Sequence, residues 1–233
     1  FLQTYERRRL MKLNDEHTLL NRFCGNDEYR QQFWNPFYDE HLEIVCATDT
    51  HCMIMGDKDL FINEYAPLEH PVTIYNILPV EQHDELFITY DKLMSLFDKI
   101  PYTRKTECPE CGGYGRVDTK YETKEGQILS IEIECPICNG RGEVIGEEKK
   151  DYRYMIRFKD LCFKYKMMLV LAKTMEELRV EKIKVLALRD LKLYVELLPG
   201  LKALFMCTCQ AEELVKGDSI KNPDFVVRYP FEP

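Results

Sequence analysis

One short pattern occurs twice, 27 residues apart: Cys108-Pro109-Glu110-Cys111-Gly112-Gly113-Tyr114-Gly115 and Cys135-Pro136-Ile137-Cys138-Asn139-Gly140-Arg141-Gly142. Each copy reads C-x-x-C-x-G-x-G. Two thiolates three positions apart reach one metal ion when the chain between them turns tightly, and the trailing glycines permit the positive φ that such a turn needs. Cys108, Cys111, Cys135 and Cys138 are therefore candidate ligands of one structural zinc ion (Zn2+) in a closed tetrahedral site. Four thiolates leave no open position for catalysis. A redox C-x-x-C would need a single pair at a strand-to-helix junction, which two glycine-trailed pairs fit poorly. A zinc deaminase would combine His-x-Glu with a later Pro-Cys-x-x-Cys. His41-Leu42-Glu43 supplies the first half, but Pro109 lies inside its cysteine pair and the second pair would have no role.

Between the cysteine pairs, alternating runs over 117–122 and 128–134, joined around Glu125-Gly126, predict a β-hairpin with a knuckle at each end. Val117, Thr119 and Tyr121 are expected on one face, and Ile131 and Ile133 on another. Pairing these strands is what brings the two cysteine pairs together. Residues 104–150, bounded by Arg104-Lys105 and by Glu147-Glu148-Lys149-Lys150, read as an inserted module, too small to fold on its own apolar burial and dependent on metal for much of its folding energy.

Residues 1–103 and 151–233 together read as an α+β core of helix followed by meander. Apolar residues at 165, 168, 169, 172 and 175 predict a helix over 163–179. A strand over 182–188, a turn at Arg189-Asp190, an alternating strand over 191–197, a turn at Pro199-Gly200 and a strand over 201–209 follow. Cys207 and Cys209 are expected on one face of that last strand and, like Cys24 and Cys162, to be buried small apolar groups. The first part echoes this weakly. A strand ends at Ala47, Thr48-Asp49-Thr50 turns the chain into 51–55, and a helix over 91–100 stops at Pro101. A strand over 152–158 resumes after the module. Trp34 reads as core packing or a loop anchor.

The 233-residue chain is 45% hydrophobic and 31% charged, an ordinary globular composition. No apolar run approaches the roughly 18 residues of a membrane helix. The opening Glu6-Arg7-Arg8-Arg9, with the arginines read as a solvated helix face, lacks the apolar core of a signal peptide. The chain does not begin with Met, so residues before Phe1 are expected. Ten cysteines, four of them at metal spacing, in a core-rich chain point to a reducing, cytoplasmic setting with no membrane partner.

The net charge of −8 is unevenly spread. Residues 1–103 carry 9 Lys/Arg against 18 Asp/Glu, residues 104–150 carry 8 against 10, and residues 151–233 carry 15 against 12. The acidic whole argues against broad coating of nucleic acid. A local basic face in the last third stays open: Arg153, Arg157 and Lys159, with Lys164, Lys166, Lys173, Lys182 and Lys184 nearby in sequence. Arg116 and Arg141 sit at the glycine turns. These arginines and Lys159 are candidate contacts to DNA or to a protein partner. Asp49 and His51, beside Cys46 and Cys52, could form a cysteine–histidine nucleophile, set against the plainer reading of a turn aspartate with half-buried neighbours. No phosphate-binding G-x-x-x-x-G-K-[ST], H-E-x-x-H or G-x-S-x-G occurs.

The paired C-x-x-C-x-G-x-G resembles the zinc domain of DnaJ-type chaperones, matching at Cys108, Cys111, Gly113, Gly115, Cys135, Cys138, Gly140 and Gly142. That family has four repeats and two ions. Two repeats here imply one ion. The family's His-Pro-Asp signature is absent, since His70-Pro71 is followed by Val72. Ala47-Thr48-Asp49-Thr50-His51 resembles the Ala-Thr-Asp-Gly-His hairpin of bacterial sliding clamps, the β subunit of the replicative polymerase, with Thr50 in place of Gly and Cys52-Met53 in place of Arg-Leu. That resemblance implies a clamp-like core and a non-enzymatic zinc-binding accessory protein of DNA replication or other DNA metabolism, with DNA or a replication protein as partner. The chaperone resemblance implies instead a protein-binding adaptor whose zinc is purely structural. An enzyme with its site near Asp49 and His51 is the third reading.

Overall fold

The computed structural model describes residues 16–26, 28–68, 74–81, 85–124, 126–151, 153–210 and 226–228. The Arg7-Arg8-Arg9 run, His70-Pro71-Val72, Glu125 and Tyr152 lie outside the described residues. The chain divides into two compact units, one drawn from 1–99 with 153–233 and the other from 100–152.

In chain order the first unit opens with α1 (Glu16–Asn21), β1 (Phe37–Asp39), β2 (Ile44–Thr48), β3 (Cys52–Asp57), β4 (Leu86–Thr89) and α2 (Tyr90–Asp98). The second unit holds β5 (Tyr102–Glu107), β6 (Arg116–Glu122), β7 (Ile128–Glu134) and β8 (Glu143–Lys150). The first unit then resumes with β9 (Met155–Phe158), β10 (Leu161–Lys164), α3 (Tyr165–Glu177), β11 (Lys182–Arg189), β12 (Lys192–Leu198), β13 (Leu201–Met206), β14 (Cys209–Gln210) and β15 (Val226–Arg228).

Sheet dominates the first unit. Seven strands form one antiparallel sheet in the order β1-β2-β3-β13-β12-β11-β4. Four more pair as β14-β10-β9-β15, with β15 parallel to β9. The central strands are apolar on both faces: four successive residues of β11, Val185 to Leu188, are buried. A strand covered on both sides reads as a continuous apolar run. Leu204 faces a cluster with Phe37, Met53, Ile74 and Tyr194, while its neighbour Phe205 meets Phe23, just after α1, at 6.1 Å between ring centroids. α3 buries Met168, Leu171, Ala172 and Met175, and Tyr165 packs edge-on against Phe97 of α2 at 5.1 Å.

Glu16 opens α1 as a buried carboxylate, 3% exposed. It accepts hydrogen bonds from the Ile62 amide (2.6 Å), the Asn63 amide (2.9 Å), the Tyr65 hydroxyl (2.9 Å) and the Asn63 side-chain amide. Burial pushes its pKa up, but these donors outweigh it and hold the carboxyl below its ordinary value. A folded-state pKa below the unfolded one stabilises above the unfolded value, and that contribution is lost as pH falls through the folded one. Glu16→Gln is expected to destabilise this unit by about 1–3 kcal/mol near neutrality, with the difference from wild type shrinking in acid. Urea unfolding at neutral and at acid pH checks both parts.

The structure corrects several expected boundaries. The hairpin turn is Asp190-Leu191, one residue later than Arg189-Asp190, with both residues at positive φ (52° and 60°) and Arg189 paired to Lys192. The strand expected over 201–209 ends at Met206. Cys209 joins β14, in the other sheet, so Cys207 and Cys209 do not share one strand face. Phe163 belongs to β10, not to the helix, and the strand expected over 152–158 begins at Met155. Trp34 is 42% exposed, so it is not a core residue.

Candidate metal centre

In the second unit each cysteine pair follows one strand and precedes another. β5 leads into Cys108 and β6 leaves Gly115; β7 leads into Cys135 and β8 leaves Gly142. β6 pairs with β7 and β5 with β8, so the two repeats exchange strands about a pseudo-twofold axis. The hydrogen bonds repeat with it. Cys108 N–H donates to Gly142 C=O and Cys135 N–H to Gly115 C=O, each at 2.8 Å. Gly115 N–H donates to Cys111 Sγ (3.2 Å) and Gly142 N–H to Cys138 Sγ (3.1 Å). The last glycine of each repeat has positive φ (77° and 72°) and packs on the other repeat. A Cβ on Gly115 would overlap the Gly140 carbonyl oxygen, and one on Gly142 that of Gly113. Both positions therefore require glycine twice over.

This frame brings all four sulfurs together. Cys108 and Cys135 Sγ are 3.7 Å apart, Cys111 and Cys138 Sγ 3.8 Å, and all four lie within 4.8 Å of one another. They are buried, with half-buried Val117 and Val144 packed against them. Separations near 3.7 Å are far beyond the roughly 2.05 Å of a disulfide. Burial pushes the Cys111 thiol up, but the Gly115 and Gly113 amides and the neighbouring sulfurs more than offset it, to about 7. A pre-lowered thiol surrounded by three others is a donor set able to hold a metal ion.

Sequence reading missed the second ribbon. The charged stretches that flank the module are the strands β5 and β8, bulged between Thr103 and Lys105. Lys150 reaches back to Ile100 C=O (3.0 Å) and lies over the Tyr102 ring. The hairpin faces also differ from expectation. Val117 pairs with Ile133, Thr119 with Ile131 and Tyr121 with Leu129, so the two apolar sets share one face.

The candidate basic contacts divide between the two units. Arg116 pairs with Glu132 (2.9 Å), and Arg141 Nε donates to Cys138 C=O (3.0 Å), both in the second unit. Arg153, Arg157 and Lys159 belong to the first. Arg157 is tied to Lys159 C=O (2.6 Å) and Asp160 (3.6 Å), and Arg153 and Lys159 are exposed.

At the β2–β3 turn, Asp49 accepts the amides of His51 (2.8 Å) and Cys52 (2.7 Å), and Thr50 takes positive φ (75°). Asp49 is thus a turn-capping group. Burial and the Asp49 charge push the Cys52 thiol up, and burial with Asp39 does the same to Cys46. Neither is an activated nucleophile. Beside this turn lies a pocket of about 250 Å³. Phe37, Met53, Ile74, Ile77, Leu204 and Met206 make it apolar, and Thr50 and His51 supply its polar part. The Met206 amide donates to His51 C=O (2.7 Å), fixing the end of β13 against the turn. Nothing in the sequence marked this pocket, because its walls come from strands and turns far apart in the chain.

Bacterial sliding clamps are among the solved structures that align with this chain. The DNA polymerase III β subunit of Thermotoga maritima aligns with a TM-score of 0.45 and 9% identity, covering 88% of this chain and 64% of that one. The β subunit of Borrelia burgdorferi, solved with a natural product, gives 0.44 and 11%, covering 87% and 61%. The Helicobacter pylori β clamp bound to a DNA ligase peptide gives 0.44 and 12%, covering 87% and 64%. The chain thus spans less than two thirds of the length of these clamps. No protein-family model matches the chain, and no curated protein matches its sequence. Among the described residues no helix is long and apolar enough to cross a membrane.

Proposed function

We propose that this chain is a non-enzymatic accessory protein of DNA metabolism that docks a partner protein in the apolar pocket beside the β2–β3 turn, and that residues 104–150 are an inserted module closed by one structural Zn2+ on Cys108, Cys111, Cys135 and Cys138. The pocket carries the docking part. It is mostly apolar, and Thr48, Thr50 and His51, from the hairpin whose sequence resembles that of sliding clamps, line one part of it. Pockets of this kind take apolar anchor side chains, with a few polar groups setting orientation. For the metal, zinc–sulfur bonds of about 2.3 Å in a regular tetrahedron place sulfurs about 3.8 Å apart; two of the sulfur pairs stand at 3.7 and 3.8 Å, and all four sulfurs lie within 4.8 Å of one another. Zinc bound there would supply folding energy and no open coordination position.

A labelled DNA ligase peptide of the kind bound by the H. pylori clamp is the first test. It is expected to bind, and Met206→Glu to weaken it about ten-fold or more, since a carboxylate in an apolar pocket costs more than the 1.4 kcal/mol of a decade. Absence of peptide binding, together with no retention on duplex or single-stranded DNA at low salt, would end this reading. The adaptor reading is favoured by a separate observation: the module is acidic on balance, and Arg116 and Arg141 are bonded within it. Salt-dependent DNA retention separates the two.

A further inference from the structure

The β6–β7 ribbon stands as a two-stranded sheet among the described residues, and such a ribbon is marginal in water without a cover. One of its faces is apolar and open: Tyr121, Leu129, Ile131 and Ile133 are 53%, 46%, 40% and 40% exposed. Its edges are open too. Cys135 N–H bonds Gly115 C=O and Thr123 N–H bonds Gln127 C=O, so odd-numbered residues of β7 bond inward to β6. The N–H and C=O groups of Ile128, Ser130, Glu132 and Glu134 therefore point outward. Soluble proteins guard such edges with lysine, proline or a bulge. The β5–β8 ribbon has both a bulge and lysines 105, 149 and 150. β7 has no Lys, Arg or Pro and no register shift, and all seven of its residues are exposed.

We propose that β7 pairs edge to edge, antiparallel, with β7 of a second copy of this chain, about a twofold axis through Ile131. This register uses the outward groups, setting Ser130 against the second copy's Glu132 and Ile128 against its Glu134 in hydrogen-bonded pairs. Ile131 meets its own copy, and Leu129 meets the second copy's Ile133. No like charges face each other directly, whereas a shift centred on Glu132 would oppose two carboxylates. The product is a four-stranded sheet with one continuous apolar face. A second copy is the occupant that the strand's own sequence complements along its whole length.

Sedimentation equilibrium of the metal-loaded full chain at micromolar concentration is expected to give twice the chain mass. Ile131→Lys brings two ammonium groups together at the axis. Ser130→Pro removes one outward N–H and no bond to β6. Both are expected to be monomeric with their metal retained. A monomeric wild type, which would leave the face to a partner or to this chain's own residues, overturns the proposal, as does a dimer surviving either substitution. Should a variant lose its metal, hydrogen exchange of the wild type decides. Protection of the Ile128, Ser130, Glu132 and Glu134 amides that fades on dilution supports the pairing, and exchange at open-chain rates at every concentration overturns it.

Discussion

Cys135→Ser is expected to empty the metal site and to unfold the second unit while the seven-stranded sheet stays intact. The physical reason is what that unit buries. Among the described residues, and apart from Ile100 at its margin, its buried apolar side chains are the four cysteines themselves, with Val117 and Val144 half covered. The faces of β6 and β7 are open to water. Burial of so little surface cannot meet the roughly 1–2 kcal/mol per residue that ordering a backbone costs. A four-thiolate zinc site contributes about 10–16 kcal/mol of apparent binding energy at neutral pH, so with zinc as the proposed ion, closure of the site and folding of the unit would be one event. Serine at 135 removes a thiolate, and the remaining three sulfurs are left on two exposed ribbons and a few backbone hydrogen bonds between the repeats, too little to hold the unit folded. Metal analysis is expected to fall from one ion per chain to none. Limited proteolysis is expected to cut within 104–150 while leaving the rest resistant, and the main unfolding transition is expected to keep its midpoint. Retained metal, or collapse of the whole chain, would contradict this account.

The contrast between the units explains what the sequence disclosed and what it withheld. The cysteine pairs were legible because four sulfurs can converge only from closely spaced pairs such as C-x-x-C, and because the turns force glycine at Gly115 and Gly142. The hairpin between them was legible by alternation. β5 and β8 were not, because strands built from Thr103, Arg104 and Lys105 against Lys149 and Lys150 carry no apolar period; their pairing is set by the cluster between them, not by burial. In the first unit the meander over β11 to β13 was read nearly in place, since Pro199-Gly200 marks one turn. The other turn slipped by a residue because Leu191, at φ 60°, is a side chain that turns rarely use. The break after Met206 left no trace either: Cys207 and Thr208 continue the apolar-polar pattern, and only the Cys207 amide bonding back to Leu191 C=O and the Thr208 amide bonding to Cys162 C=O reveal the crossing to the other sheet. The pocket was invisible for the same reason that its walls are stable. Phe37 and Leu204 meet through sheet order, and Ile74 packs on them from the helical turn over 74–76, long-range relations that local periodicity does not encode.

Gly142→Ala is expected to weaken metal binding about 100-fold or more, and Gly126→Ala to leave it nearly unchanged. Both glycines have positive φ, 72° and 77°, so both substitutions incur the left-handed backbone cost of about 1–2 kcal/mol. They differ in their surroundings. A Cβ on Gly126 meets nothing within 4 Å, whereas one on Gly142 would overlap the Gly113 carbonyl oxygen in the opposite repeat. That carbonyl belongs to a rigid knuckle and cannot swing away as a flexible side chain would. Gly142 also holds the site through both of its backbone polar groups. Its N–H donates to Cys138 Sγ at 3.1 Å, and its C=O accepts from Cys108 N–H at 2.8 Å. Displacing it therefore moves one ligand from each cysteine pair. With each factor of ten in affinity equal to 1.4 kcal/mol, a clash of about 3 kcal/mol accounts for the 100-fold loss. Competition against a chromophoric zinc chelator measures both variants beside wild type. Equal affinities for Gly142→Ala and wild type would mean that the two knuckles can slide apart without loss, and the pseudo-twofold lock would then not be what closes the site.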